Sequence, residues 1–196
     1  MKMLKKLFVS EVRLKILELM LLNPEESLHV REIVRRVGAE INAVRRELEN
    51  LTTIGMFTKR KSSNRLYYTV VTEHTFYAEL LSLLSKERGI GSKIVEHAED
   101  IGNPDFAVLS LGFLRGRKST SLDVDLFLVG DSVNTEALSK ILGEYEKDHG
   151  KEVNYSIMTV EEFRHRKRTN DQFTMRMMSQ SRSMLIGDSE KFYAVV

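Results

Sequence analysis

The stretch Glu40–Val70, "EINAVRRELENLTTIGMFTKRKSSNRLYYTV", holds a helix pattern and a hairpin pattern back to back. Ile41, Val44, Leu48 and Leu51 recur at helical spacing, which buries them and turns Asn42, Arg45, Arg46 and Glu49 outward. Gly55 stops the helix. Met56–Lys61 and Arg65–Val70 then read as two strands joined by a Ser-Ser-Asn turn. Upstream, Val12, Ile16, Leu19 and Met20 share one helical face, with Ser10 as N-cap and Pro24 closing the segment. A second helix follows in "HVREIVRRVG", where Val30, Ile33, Val34 and Val37 form the apolar stripe and Gly38 ends it.

Three short helices followed by a basic-tipped hairpin resemble a winged helix-turn-helix domain of the ArsR-like group, over residues 7–72. The resemblance implies that the third helix enters the major groove of double-stranded DNA, where Asn42, Arg45 and Arg46 reach base edges or phosphates. Lys59, Arg60, Lys61 and Arg65 flank the hairpin turn, which implies contact with phosphate or the minor groove. Other readings stay open. Exposed arginines also suit a merely solvated helix face, Lys59–Lys61 also suit protection of an edge strand, and winged helices also dock proteins.

The charge distribution agrees with a polyanion partner for the first half. The net charge of +2 divides into +5 over residues 1–90 and −3 over residues 91–196. Between the halves, Phe76, Leu80, Leu83 and Leu84 have helical spacing in "EHTFYAELLSLLSKER". That helix connects the domains and, in dimeric regulators of this type, supplies a subunit interface; packing between the domains is the alternative. The expected division is a DNA-binding domain over 1–72, a connecting helix over 73–90 and a second domain over 91–196.

The second half reads as helix, strand, turn, strand, helix, strand and further helical material, so the whole chain is expected to be α+β. Its centre is Leu111–Asp131, "LGFLRGRKSTSLDVDLFLVGD". There Gly112-Phe113 stands at a turn, Arg115-Gly116 follows, and Asp123 and Asp125 alternate along an expected strand from Leu122. Residues i and i+2 of a strand project to one face, so both carboxylates could meet one divalent cation. Over residues 92–190 this resembles the minimal nucleotidyltransferases of the DNA polymerase β superfamily. The resemblance implies Mg2+ or Mn2+ on Asp123 and Asp125 and a nucleotide ligand near Gly112 and Arg115. It also exposes two departures. Phe113 occupies the position of the phosphate-binding serine, and Asn154 that of the third carboxylate, with Glu152 two residues away as a substitute.

The expected function is therefore a prokaryotic transcriptional regulator whose second domain has lost or reduced catalysis and serves ligand sensing or assembly. The enzymatic alternative is magnesium-dependent transfer of a nucleoside monophosphate to a protein or small-molecule acceptor, as in antitoxin-type relatives, with Asp123, Asp125 and Glu152 as catalytic residues. A scaffold binding proteins through both domains is a third. Zero cysteines exclude disulfides, thiolate catalysis and cysteine zinc sites, and five scattered histidines have no ligand spacing. No apolar run approaches the roughly 18 to 20 residues that span a bilayer, and Glu11 and Arg13 break the first apolar stretch. A cytoplasmic homodimer without a membrane partner is expected.

Overall fold

The computed structural model describes residues 3–120 and 123–194. The chain is α+β, with two sheets, and divides into two compact units, Met1–Leu84 and Ser85–Val196.

The first unit runs α1 (Leu4–Leu7), α2 (Glu11–Leu21), β1 (Leu28–His29), α3 (Val30–Val37), α4 (Ile41–Thr53), β2 (Phe57–Ser62), β3 (Arg65–Val70) and α5 (Tyr77–Ser85). Ser10 caps α2 by accepting from the Arg13 backbone N–H at 3.2 Å. The buried side of α2 is Leu14, Ile16, Leu17, Met20 and Leu21, broader than the expected stripe, while Val12 and Leu19 stay partly exposed. The reason is that α2 is packed by α1 as well as by α3 and α4, so no single face suffices. Gly38 takes φ +61°, ending α3 in the left-handed region that lets the chain turn at once into α4.

Helix α4 buries Val44, Leu48 and Leu51, as its spacing predicts, and also Glu47, which is 4% exposed. Glu47 accepts from Arg13 Nε at 2.8 Å. Burial alone would raise its carboxyl pKa, but hydrogen bonds from Ser10, Arg13 and Asn50 and the charge of Arg13 outweigh burial and hold it below the ordinary 4.5. A depressed carboxylate contributes stability above its unfolded pKa and loses it as pH falls through the folded one. Glu47→Gln should therefore lower the melting temperature at pH 7, and the gap from wild type should shrink as pH falls below about 4.5, measured by thermal denaturation across pH.

Strand β3 lies between β1 and β2, antiparallel to both. The two-residue β1 was not legible in the sequence; it pairs Leu28 with Tyr68 and His29 with Tyr67, which seats the start of α3 against the hairpin. Ser63-Asn64 makes the hairpin turn, Ser63 at φ +53°. Helix α5 begins at Tyr77, not Glu73, and buries Tyr77, Leu81 and Leu84, while Phe76 is 61% exposed. The buried face is offset from the expected one because the Tyr77 hydroxyl must reach the Leu21 carbonyl, at 3.1 Å.

The second unit continues with α6 (Gly89–Glu96), β4 (Phe106–Ser110), α7 (Leu111–Leu114), β5 (Leu126–Val129), α8 (Thr135–His149), β6 (Tyr155–Met158), α9 (Val160–Arg168), α10 (Gln172–Ser179), β7 (Arg182–Ile186) and α11 (Ser189–Tyr193). The "GIGS" stretch expected as a boundary is the first turn of α6. The sheet order is β6-β5-β4-β7, with β5 and β6 parallel and the other pairs antiparallel. One face packs Leu109, Leu126 and Leu128 with Ile94, Leu138 and Leu142; the other packs Val108, Phe127 and Val129 with Phe163, Met177 and Phe192. Among the described residues no helix is long and apolar enough to cross a membrane.

Candidate functional site

In the first unit, the cations separate into those with carboxylate partners and those without. Lys5 and Lys15 pair with Glu11, Arg13 with Glu47, Arg35 and Arg36 with Glu32, and Lys59 with Glu49. Arg31, Arg45, Arg46, Arg60, Lys61 and Arg65 form no ion pair among the described residues and are exposed. Three of these come from three elements to one place. Arg31 on α3, Arg45 on α4 and Arg65 at the hairpin tip line a groove of about 440 Å³ with His29, Val30, Asn64 and Leu66. A concave surface carrying three guanidinium groups and no carboxylate favours an anion, and a fork of N–H donors suits phosphate oxygens.

The local folding explains the placement. Glu40 caps α4, accepting from the backbone N–H groups of Asn42 and Ala43 at 2.8 and 2.9 Å. Those bonds hold its carboxyl below the usual range. With Val44, Leu48 and Leu51 turned inward, Asn42, Arg45 and Arg46 stand on the outer face. Asn42, Arg46, Arg60 and Lys61 are exposed outside the groove lining. Lys59 differs from its neighbours. Its Nζ lies 2.9 and 3.0 Å from the Glu49 oxygens, so the hairpin is tied to α4 and this charge is already partnered. Arg31 escaped the sequence reading because only the β1–β3 pairing brings the first turn of α3 beside the hairpin tip.

In the second unit the two aspartates do not lie on a strand, since β5 begins at Leu126. Both precede it, and Leu122, where the strand was expected to start, lies outside the described residues. Asp125 is fully buried. Its Oδ1 accepts from Ser119 Oγ at 2.6 Å and its Oδ2 from the Asn154 backbone N–H at 3.0 Å. Asp123 Oδ2 accepts from the backbone N–H and hydroxyl of Thr120, both at 2.8 Å, and its Oδ1 from an Arg117 guanidinium N–H at 3.2 Å. The Thr120 bonds hold the Asp123 carboxyl below its ordinary value, with Arg117 and Arg176 adding to the effect.

Further cations surround the pair. Lys151 and Arg182 both act electrostatically on Asp125. Burial pushes the Lys151 ammonium down, and it pushes Arg182 down to about 10. Arg182 donates to the carbonyls of Met177 and Val124 at 2.8 and 3.0 Å, which fixes it beneath the segment carrying the aspartates.

No family model, curated protein or solved structure matches the chain. Asn154 does stand beside Asp125, continuing the Leu126–Tyr155 register, and its Nδ2 donates to the Thr120 carbonyl at 2.8 Å. Glu152 is exposed and makes no hydrogen bond or ion pair among the described residues. Phe113 does not fill a phosphate site. It is buried in the core with its ring 6.5 Å from that of Tyr145, and Lys151 Nζ stands 3.7 Å above it while donating to its carbonyl at 2.5 Å. Gly112 is no open cradle either, because the Arg117 guanidinium lies 3.0 Å from where a Cβ would stand. Arg115 is half-buried at the C-cap of α7. The role of Ser119 had no signal in the sequence, since a serine six residues before an aspartate is unremarkable until the loop returns.

The expected metal ligands are engaged with the protein's own donors. All four carboxylate oxygens already accept hydrogen bonds, and the third position is an amide. Among the described residues no group of three or more metal-ligating side chains forms. Magnesium takes about six oxygen ligands in octahedral geometry, commonly one or two carboxylates with several waters.

Proposed function

We propose that this chain is a DNA-binding regulator of transcription, in which the first unit is a winged helix that grips duplex DNA and the second is a nucleotidyltransferase-like domain without catalysis. The observation that carries the reading is the groove shared by Arg31, Arg45 and Arg65, none of which forms an ion pair among the described residues. Side chains that keep a cation unpaired on α3, α4 and the hairpin are arranged for one polyanion touching all three elements. The element order supports the same reading: a two-residue strand before α3, then α4, then an antiparallel hairpin whose exposed tip carries Arg60, Lys61 and Arg65. In this reading α4 enters the major groove and the β2–β3 hairpin is the wing.

The engaged state of Asp123 and Asp125, together with an amide at position 154, supports a second unit that serves assembly or ligand sensing and not phosphoryl chemistry. The reading is tested by fluorescence anisotropy of a labelled duplex pool titrated with the full chain at several salt concentrations. Binding should weaken steeply with salt, with a log–log slope of about −0.9 per phosphate neutralised. Absence of duplex binding at low salt would sink the proposal. A parallel incubation with labelled nucleoside triphosphates, magnesium and candidate acceptors should show no transfer above an Asp125→Ala control.

A further inference from the structure

Charge accounting around the paired aspartates goes beyond the DNA reading and holds whether or not the first unit binds a duplex. Two carboxylates two residues apart in sequence, one of them fully buried, lose hydration, which is costly unless cations or donors offset it. In an enzyme of this layout a divalent metal does that. We infer that here the chain's own cations stand in its place, Arg117 on Asp123 and Lys151 with Arg182 around Asp125, so that this site takes neither magnesium nor manganese.

Three observations carry the inference independently. The first is donor occupancy. Asp125 accepts from Ser119 and from the Asn154 backbone, and Asp123 from Thr120 twice and from Arg117, so every carboxylate oxygen is already stabilised by the protein's own donors. The second is the charge balance. Arg117 is bonded to Asp123 at 3.2 Å and Arg182 to the carbonyl of Val124, the residue between the two aspartates, at 3.0 Å, so a dication would enter beside cations already in place. The third is how the cations are held. Arg182 is fixed by two backbone carbonyls and by Gln180, at 3.1 Å, and Lys151 by the Phe113 ring and carbonyl. Arg117 lies over Gly112, where any side chain at that position would crowd it. Lys151 and Arg182 are partly buried, whereas Arg117 is exposed and is held through Asp123. The arrangement also explains Phe113: its ring is the platform on which Lys151 rests.

Mn2+ titration of the full chain, followed by the electron paramagnetic resonance signal of free Mn2+, tests the absence of metal. The expected result is the same free signal for wild type, Asp123→Asn and Asp125→Asn across the micromolar to low millimolar range. Loss of about one equivalent of free Mn2+ in wild type that either variant abolishes would overturn the inference. Thermal denaturation tests the substitution itself. Arg117→Gln should lower the melting temperature by several degrees, the loss should be smaller in an Asp123→Asn background, and added magnesium should restore none of it. Equal melting temperatures for wild type and Arg117→Gln, or full restoration by magnesium, would count against it. Asp123 is only partly buried, so Asp123→Asn leaves a folded protein to read if Asp125→Asn does not.

Discussion

Replacing Arg45 and Arg65 together with alanine is expected to weaken duplex binding by roughly two orders of magnitude, with folding unchanged. The two residues line one groove from α4 and from the hairpin tip. Each guanidinium that meets a phosphate or a guanine edge contributes about 1–3 kcal/mol, and neither residue forms an ion pair among the described residues whose loss would offset the change. If both contact phosphate, the salt slope should also flatten by about 0.9 for each contact removed. Because both side chains are exposed, the substitutions should shift stability by no more than about 0.5 kcal/mol. Arg31→Ala should behave like a member of the same group. Lys59→Ala should cost less than any of these, since its ammonium is already held by Glu49. Anisotropy titrations of the variants at one salt concentration rank them. Equal losses from Lys59→Ala and Arg65→Ala would show that the partnered and unpartnered cations do not differ in role.

Phe113→Ser, which puts a hydroxyl where the proposed nucleotidyltransferase-like reading would have one, is expected to destabilise the second unit by about 3–5 kcal/mol and to confer no nucleotide binding. Phe113 is 3% exposed and packs with Leu109, Leu126 and Tyr145. Truncating it leaves a cavity, buries a hydroxyl in apolar surroundings and removes the ring beneath Lys151. Denaturant unfolding should show the loss in the transition of the second unit. The chain divides into two units, so the two transitions need separate fitting. Saturable binding of a nucleoside triphosphate by a folded Phe113→Ser variant would contradict the placement of this ring in the core.

Periodicity carried furthest where one face of an element meets one neighbour. The buried Val44, Leu48 and Leu51 and the exposed Asn42, Arg45, Arg46 and Glu49 follow from spacing along α4. The hairpin limits follow from the turn to within one residue at each end of the first strand, which runs Phe57–Ser62 and not Met56–Lys61, while the second strand is Arg65–Val70 as expected. Where an element is packed on several sides or held by a single polar bond, the pattern misled. Leu14 and Leu17 are buried because α1, α3 and α4 surround α2. The buried face of α5 is set by the Tyr77 hydroxyl on Leu21. Glu47 hid inside a helix of alternating charges until Arg13, 34 residues away in sequence, came to meet it.

The candidate sites divide in the same way. The types of residue were readable: unpaired basic residues around a helix and a hairpin tip, and two aspartates near an apolar strand beside Asn154. Their partners were not. A side chain's charge belongs to the sequence, but whether that charge is spent depends on contacts made across tens of residues. Lys59 is spent on Glu49 and Asp123 on Arg117, while Arg31 is left available beside Arg45 and Arg65. The sequence by itself determined the α+β class, the α4 and hairpin segments and the exposed face of α4 at Asn42, Arg45, Arg46 and Glu49. Only the tertiary structure decided which charges remain free to meet a ligand, because pairing energy depends on distances that chain spacing does not specify.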